Sequence, residues 1–179
     1  MKATGIVRRI DDLGRVVIPK EIRRTMRIRE GDPLEIYTNP DGEVIFKKYS
    51  PINELSDSAG QAADVIAKLG GSPVVVFDKD HVVAVSGVSK KEYQERRLSS
   101  GLEDVLETRK SFVHDKSKQF LYPVEGVRTH ALAVTPITSN GDISGAVAIM
   151  AKDENEQPTK QIVTLCKAAA MFLGKQIEE

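Results

Sequence analysis

The sequence predicts an α+β chain in two parts. A small β-rich head reads strand, strand, short helix, strand, strand within about 48 residues and carries no means of closing a core alone. A longer body follows, in which two amphipathic helices bracket an antiparallel set of strands joined by tight turns. Charge separates the same two parts. The 179 residues hold 26 basic and 26 acidic side chains, yet residues 1–29 carry nine basic residues against three acidic ones. Residues 1–29 are therefore at +6 and the remainder at −6.

In the head, residues 3–10 (ATGIVRRI) alternate as a strand, with Ile6, Arg8 and Ile10 on one face. Asp11-Asp12-Leu13-Gly14 is turn chemistry, and RVVI (15–18) is a second strand. Pro19 suits the first position of a helix over 19–26. On that helix Lys20, Arg23, Arg24 and Arg27 fall at i, i+3, i+4 and i+7, a basic stripe opposite Ile22 and Met26. Glu30 to Pro33 end the unit. LEIYT (34–38) and EVIFKKY (43–49) then form a hairpin around Asn39-Pro40-Asp41-Gly42. A unit this small, without disulfide or metal motif, needs a second copy to bury enough surface.

Ser50-Pro51 breaks the pattern, placing the domain boundary at 51/52. Apolar positions from 52 to 69 follow helical spacing, and Gly70-Gly71 close that helix. SPVVVFD (72–78) and HVVAVSG (81–87) are strands joined at Lys79-Asp80. A polar helical stretch covers about 90–109, and a weaker strand is expected over 119–124. HALAVTPI (130–137) and ISGAVAIMA (143–151) flank an Asn140-Gly141 hairpin turn. A last helix over 158–177 presents Ile162, Leu165, Cys166, Ala169, Phe172 and Leu173 to the core. The body is thus 52–179.

Composition narrows the function. At 40% hydrophobic and 29% charged residues the chain is expected to be globular. No apolar run approaches the ~20 residues of a membrane span, and the first residues lack a secretory apolar core. One cysteine excludes an internal disulfide framework and fits a reducing cytoplasm. Cys166 reads as a buried structural thiol. The three histidines show no metal-ligand spacing, and no nucleophile elbow or phosphate loop is present. No enzyme, cofactor, metal or membrane partner is expected.

The stretch "MKATGIVRRIDDLGRVVIPKEIRRTMRIREGDPLEIYTNPDGEVIFKKY", with "GRVVIPKEIRR" at its centre, resembles the AbrB-type swapped-hairpin DNA-binding domain along its full length. The body resembles a GAF-like domain in element order and in phrases such as "DKDHVVAVSG", "KKEY" and "GDISGAVAI". The resemblance implies an interleaved homodimeric head over 1–51 that binds double-stranded DNA, and a GAF-like regulatory and oligomerising domain over 52–179. Carried over by position, Arg8, Arg15, Arg23 and Arg24 face DNA. Arg9, Arg27 and Lys20, with Lys2 as a weaker addition, extend that set on charge alone. It further implies a cytoplasmic, nucleoid-associated activator and repressor of sporulation genes in the developing spore.

A basic helix face is ordinarily a solvated surface whose cations pair with nearby acids. Here the +6 excess exceeds the local acids, and arginine's planar fork of donors suits phosphate, so polyanion binding is the stronger reading. For the body, a small-molecule effector pocket would draw on Tyr93, Arg96, Arg97, His114 and Tyr122. The plainer alternative is a packing and oligomerisation module whose helices at 52–69 and 158–177 join two dimers into a tetramer. An antitoxin-like, protein-binding head and a GAF-based enzyme are the remaining alternatives.

Overall fold

The computed structural model describes residues 4–117 and 119–178. The chain divides into two compact units, residues 1–49 and 50–179. Lys2 lies outside the described residues.

The N-terminal unit contains two turns of the same design. In each, an Asx side chain at the first position and a glycine at the fourth close a five-residue loop. The Asp11 N–H donates to Arg15 O at 3.0 Å, and the Asn39 N–H to Glu43 O at 3.2 Å. Asp11 Oδ1 accepts the Arg15 N–H at 2.7 Å, and Asn39 Oδ1 the Glu43 N–H at 2.9 Å. Gly14 and Gly42 sit at φ 75° and 82°, which is left-handed backbone that a side chain would strain. The second turn joins β1 (Leu34–Thr38) to β2 (Val44–Lys48), paired antiparallel with Ile36 opposite Phe46.

The first turn has no such ladder. Residues 4–10 and 15–18 form no strand, contrary to the two strands expected there. A strand exists through its hydrogen-bonded neighbour, and this unit supplies none to these arms among the described residues. Their apolar side chains stay uncovered: Val7 is 88% exposed, and Ile10, Leu13 and Val17 are each 71% exposed.

Between turn and hairpin lies α1 (Lys20–Thr25), shorter than the helix expected over 19–26, with Pro19 one position before it. Its end is a Schellman motif. The Arg27 N–H donates to Arg24 O at 3.3 Å and the Ile28 N–H to Arg23 O at 2.7 Å. Arg27 occupies the position usually given to glycine, at φ 51°. It therefore leaves the helical stripe and projects from the turn beyond it.

The C-terminal unit is a five-stranded antiparallel sheet in the order β4-β3-β7-β6-β5. Its strands are β3 (Val74–Phe77), β4 (Val82–Ser86), β5 (Phe112–Val113), β6 (Ala131–Ser139) and β7 (Asp142–Met150). Both faces are covered, which is why β3 and β7 read as continuous apolar runs. On one face α2 (Pro51–Glu54), α3 (Ser56–Gly70) and α6 (Lys160–Glu178) bury Ile52, Ile66, Ile162 and Leu173 against Val76, Val147 and Ile149. On the other, α4 (Lys90–Tyr93), α5 (Ser100–Thr108) and the 121–127 segment bury Tyr93, Leu102, Leu106 and Leu121 against Val75, Phe77 and Val134.

Several boundaries differ from the sequence reading. The expected helix over 52–69 is broken at Leu55, because the Ser50 hydroxyl caps a separate first turn by accepting the Asn53 N–H at 3.2 Å. The helical stretch over 90–109 is two helices separated by an extended crossing, in which His81 bridges Arg97 and Leu98 bridges Val124. The expected strand over 119–124 is replaced by that single bridge, while the short β5 was not foreseen. The Asn140-Gly141 turn holds as expected, with φ 47° and 84° closing β6 on β7. On α6, Phe172 is exposed rather than in the core. Cys166 is buried, its thiol donates to Val147 O at 3.3 Å, and burial pushes it up to about 11. It is an inert packing residue at neutral pH.

Candidate nucleic-acid interface

The arms, α1 and the turn beyond it place cations of the N-terminal unit in solvent. Arg8 and Arg9 lie on the arm before the first turn, and Arg15 on the arm after it. Lys20, Arg23 and Arg24 lie on α1, and Arg27 on the turn beyond. All seven are exposed. Helix α1 has two turns, too little for a helix-turn-helix reader, so these groups can reach DNA only as a surface built of turn, arm and helix together.

The cations differ in their surroundings. Arg15 is held: its Nε donates to Asp11 Oδ2 at 2.8 Å. The Arg15 backbone N–H and then its guanidinium hold the Asp11 carboxyl below the usual carboxylate range. Asp11 thus organises the turn and aims Arg15, and the exposed pair is worth little to stability. Arg23 and Arg24 sit in the last turn of α1, where cations complement the helix dipole. That role explains one or two cations but not seven.

Arg27 carries an additional signal. A non-glycine residue in left-handed backbone costs about 1 kcal/mol, and here the position tolerates glycine sterically. Arg27→Gly is expected to stabilise the unit by roughly 0.5–1 kcal/mol in urea titration. The same variant weakens DNA binding if the guanidinium contacts phosphate. Gain of stability with loss of binding identifies a residue kept for binding. Unchanged binding would remove Arg27 from the interface.

The five residues named for an effector pocket lie on four segments of the C-terminal unit. Tyr93 is buried in the second core. Arg96 is exposed, its Nε donating to Glu92 O of α4 at 2.5 Å and its Nη1 to Glu125 O of the 121–127 segment at 3.4 Å. Arg97 lies in the 94–99 crossing, where its carbonyl accepts the Glu125 N–H at 2.9 Å. His114 and Tyr122 are linked through Phe120, whose centroid lies 5.0 Å from His114 and 6.2 Å from Tyr122. Phe120 and His130 complete that group and were missed, because a lone aromatic and a scattered histidine give no pattern in sequence.

Two cavities of this unit lie elsewhere. One of about 420 Å³ is lined by Asp57, Gln61 and Asp64 of α3, Val83 and Val85 of β4, and Lys90. The other, about 460 Å³, is an apolar groove between α3 and α6, lined by Val65, Ile66, Ala169 and Phe172. None of the five residues lines either. Among the described residues, no cluster of three His, Cys, Asp or Glu could hold a metal ion. No helix there is long and apolar enough to cross a membrane.

Comparison with known proteins agrees with this division. Residues 54–178 match the family described as stage V sporulation protein T C-terminal, transcription factor. Residues 7–53 match the family described as antidote-toxin recognition MazE, bacterial antitoxin. Stage V sporulation protein T of Bacillus subtilis is 51% identical over 183 aligned positions, covering 100% of both chains. The transition state regulatory protein AbrB of Bacillus subtilis is 51% identical over 76 residues, covering 42% of this chain and 77% of its own. The GAF domain of an Acinetobacter phosphoenolpyruvate-protein phosphotransferase shares the fold of the second unit. It covers 70% of this chain and 87% of its own, at a TM-score of 0.53 and 12% identity. With both units matched in order and one relative matched end to end, the chain belongs to the stage V sporulation protein T family of transcription factors.

Proposed function

We propose that this chain regulates transcription of sporulation genes by binding double-stranded DNA through residues 1–51, while residues 52–179 assemble the molecule and receive any effector. The observation that carries this reading is the set of seven exposed cations at Arg8, Arg9, Arg15, Lys20, Arg23, Arg24 and Arg27. They flank arms whose apolar side chains are uncovered in a single chain. A second copy, exchanging hairpins, covers those side chains and supplies the missing ladder partners. The dimer then carries about +12 on its two copies of residues 1–29, twice the +6 of one. The apolar α3–α6 groove of the second unit fits pairing of two such dimers into a tetramer. Phosphate contacts set position, and groove shape with bidentate arginine sets preference, so the molecule activates or represses according to where it lands. Its place is the cytoplasm, on the nucleoid of the developing spore, and it performs no turnover.

Salt titration of the full chain on a duplex tests the reading. Each phosphate neutralised lowers log K by about 0.9 per decade of salt. A dimer using half of its fourteen candidate cations gives a slope of roughly −6. A slope near zero would overturn the reading. A second reading rests on the antitoxin description of residues 7–53: a head that captures a protein segment. It requires a partner that co-purifies with the chain and survives DNA competition.

A further inference from the structure

We propose that His114 and His130 form a proton-operated latch: neutral, they clamp His114 itself and residues 119–122 over the second core of the C-terminal unit, and protonated, they release them. The inference goes beyond DNA binding and does not depend on it.

His114 directly follows β5 and His130 directly precedes β6, so both rings lie at one end of the sheet. Their centroids are 5.0 Å apart with the planes tilted at 60°. Phe120 closes the group, stacked on His114 at 5.0 Å and 17° and lying 4.5 Å from His130. Both histidines are 4% exposed. Nδ1 of His114 and Nε2 of His130 are buried without a hydrogen-bond partner among the described residues. A neutral imidazole tolerates one unpaired ring nitrogen as an idle acceptor. An imidazolium makes both nitrogens donors, so a proton here leaves a buried donor without an acceptor. It also places a charge beside a second buried ring 5.0 Å away.

The surrounding charges do not rescue the protonated form. Asp153, Glu154 and Glu156 favour a proton on His130. Glu156 is already engaged, accepting from the Ser72 hydroxyl at 3.1 Å and the Lys152 N–H at 2.6 Å. Asp115, next to His114, accepts the Ser117 N–H at 3.1 Å. Burial first and His114 second prevail, and His130 lies below its ordinary value of 6.5. The open form therefore takes the proton more readily than the closed one. Opening grows as pH falls through about 6.5 toward the lower closed-state value.

The released segment is defined by its hydrogen bonds. The His114 N–H donates to Leu132 O at 2.8 Å, and the Ala131 N–H to Leu121 O at 2.8 Å. Leu121 is buried in the second core beside α5. Freeing His114 and residues 119–122 breaks both bonds and uncovers that core.

Hydrogen exchange by mass spectrometry on the full chain between pH 5.5 and 7.5 is the test. After correction for the chemical exchange rate, peptides holding the His114 and Ala131 amides should open more as pH falls. The rise is up to about tenfold per pH unit below about 6.5 if His130 binds its proton only when open. Peptides of the β1–β2 hairpin, which contains no histidine, should not change. His114→Phe/His130→Phe should abolish the effect, and His81→Gln, at an exposed histidine, should retain it. A flat wild-type profile, or acid opening that persists in the double variant, overturns the latch. If the double variant does not fold, His130→Phe alone must shrink the acid response, and an unchanged profile overturns the proposal equally.

Discussion

A full-length chain carrying Arg23→Ala and Arg24→Ala is expected to lose DNA affinity on the order of 10³-fold at 0.1 M salt while keeping its assembly. The arithmetic is electrostatic. A dimer loses four cations. Each phosphate contact is worth about 0.9 in log K per decade of salt, or roughly eightfold at 0.1 M relative to 1 M. Four contacts give about 10³·⁶, and the salt slope flattens by about 3.6. Both side chains are exposed on α1 whereas Ile22 between its turns is half-buried, so their loss opens no cavity. Alanine is a slightly better helix former than arginine, which offsets part of the lost dipole interaction in the last turn. Fluorescence anisotropy on a labelled duplex from 50 to 400 mM salt reads the binding, and sedimentation reads the assembly. Wild-type affinity at low salt in this variant would show that α1 faces away from DNA.

The sequence made the basic character of the candidate interface legible because charge excess is additive and needs no fold. Nine basic residues against three in 29 positions stand out whatever the chain does locally. The Asn140-Gly141 hairpin was equally plain, since only a type I′ turn uses that pair between two apolar runs. What escaped was decided by contacts distant in sequence. Residues 4–10 and 15–18 alternate correctly, yet strand is a property of a pair, and the pair is incomplete in one chain. The helical pattern around Arg27 continued past the true end, because an arginine in the Schellman position gives no stop signal where a glycine would. The break at Leu55 came from one serine cap, and β5 is two residues long, below any periodicity. The effector residues were chosen for chemistry alone. The fold then put Tyr93 in a core and His114 under Phe120, since burial depends on which strand ends meet.

Phe46→Ala is expected to abolish the head as a folded unit and with it all DNA binding, although every arginine remains. Phe46 lies directly opposite Ile36 across the β1–β2 hairpin. In a single chain Ile36 is 60% exposed and Phe46 43% exposed. A two-stranded hairpin with a bare apolar face is marginal at best in water. In the proposed exchanged-hairpin dimer a second copy covers this face, together with the exposed Val7, Ile10 and Val17 of the arms. A fully covered phenylalanine costs about 3–5 kcal/mol when cut to alanine. Symmetry counts that loss twice, about 6–10 kcal/mol per dimer, against a total stability of about 5–15 kcal/mol for a domain. The opposite face supplies the control. Tyr37 lies under Lys47, whose ammonium is 4.5 Å from the ring centroid, and Tyr37→Ala forfeits roughly 0.5–1 kcal/mol of that exposed interaction. Calorimetry of the full chain should then lose the head's transition in Phe46→Ala while the C-terminal unit, with its own two-sided core, still unfolds cooperatively. The salt dependence separates this variant from the arginine pair. Arg23→Ala/Arg24→Ala recovers measurable binding as salt is lowered, whereas Phe46→Ala does not, because no surface remains to collect the phosphates. A Phe46→Ala chain that melts and binds as the wild type does would mean that this face meets water in the working molecule, and the exchanged-hairpin dimer would have to be abandoned.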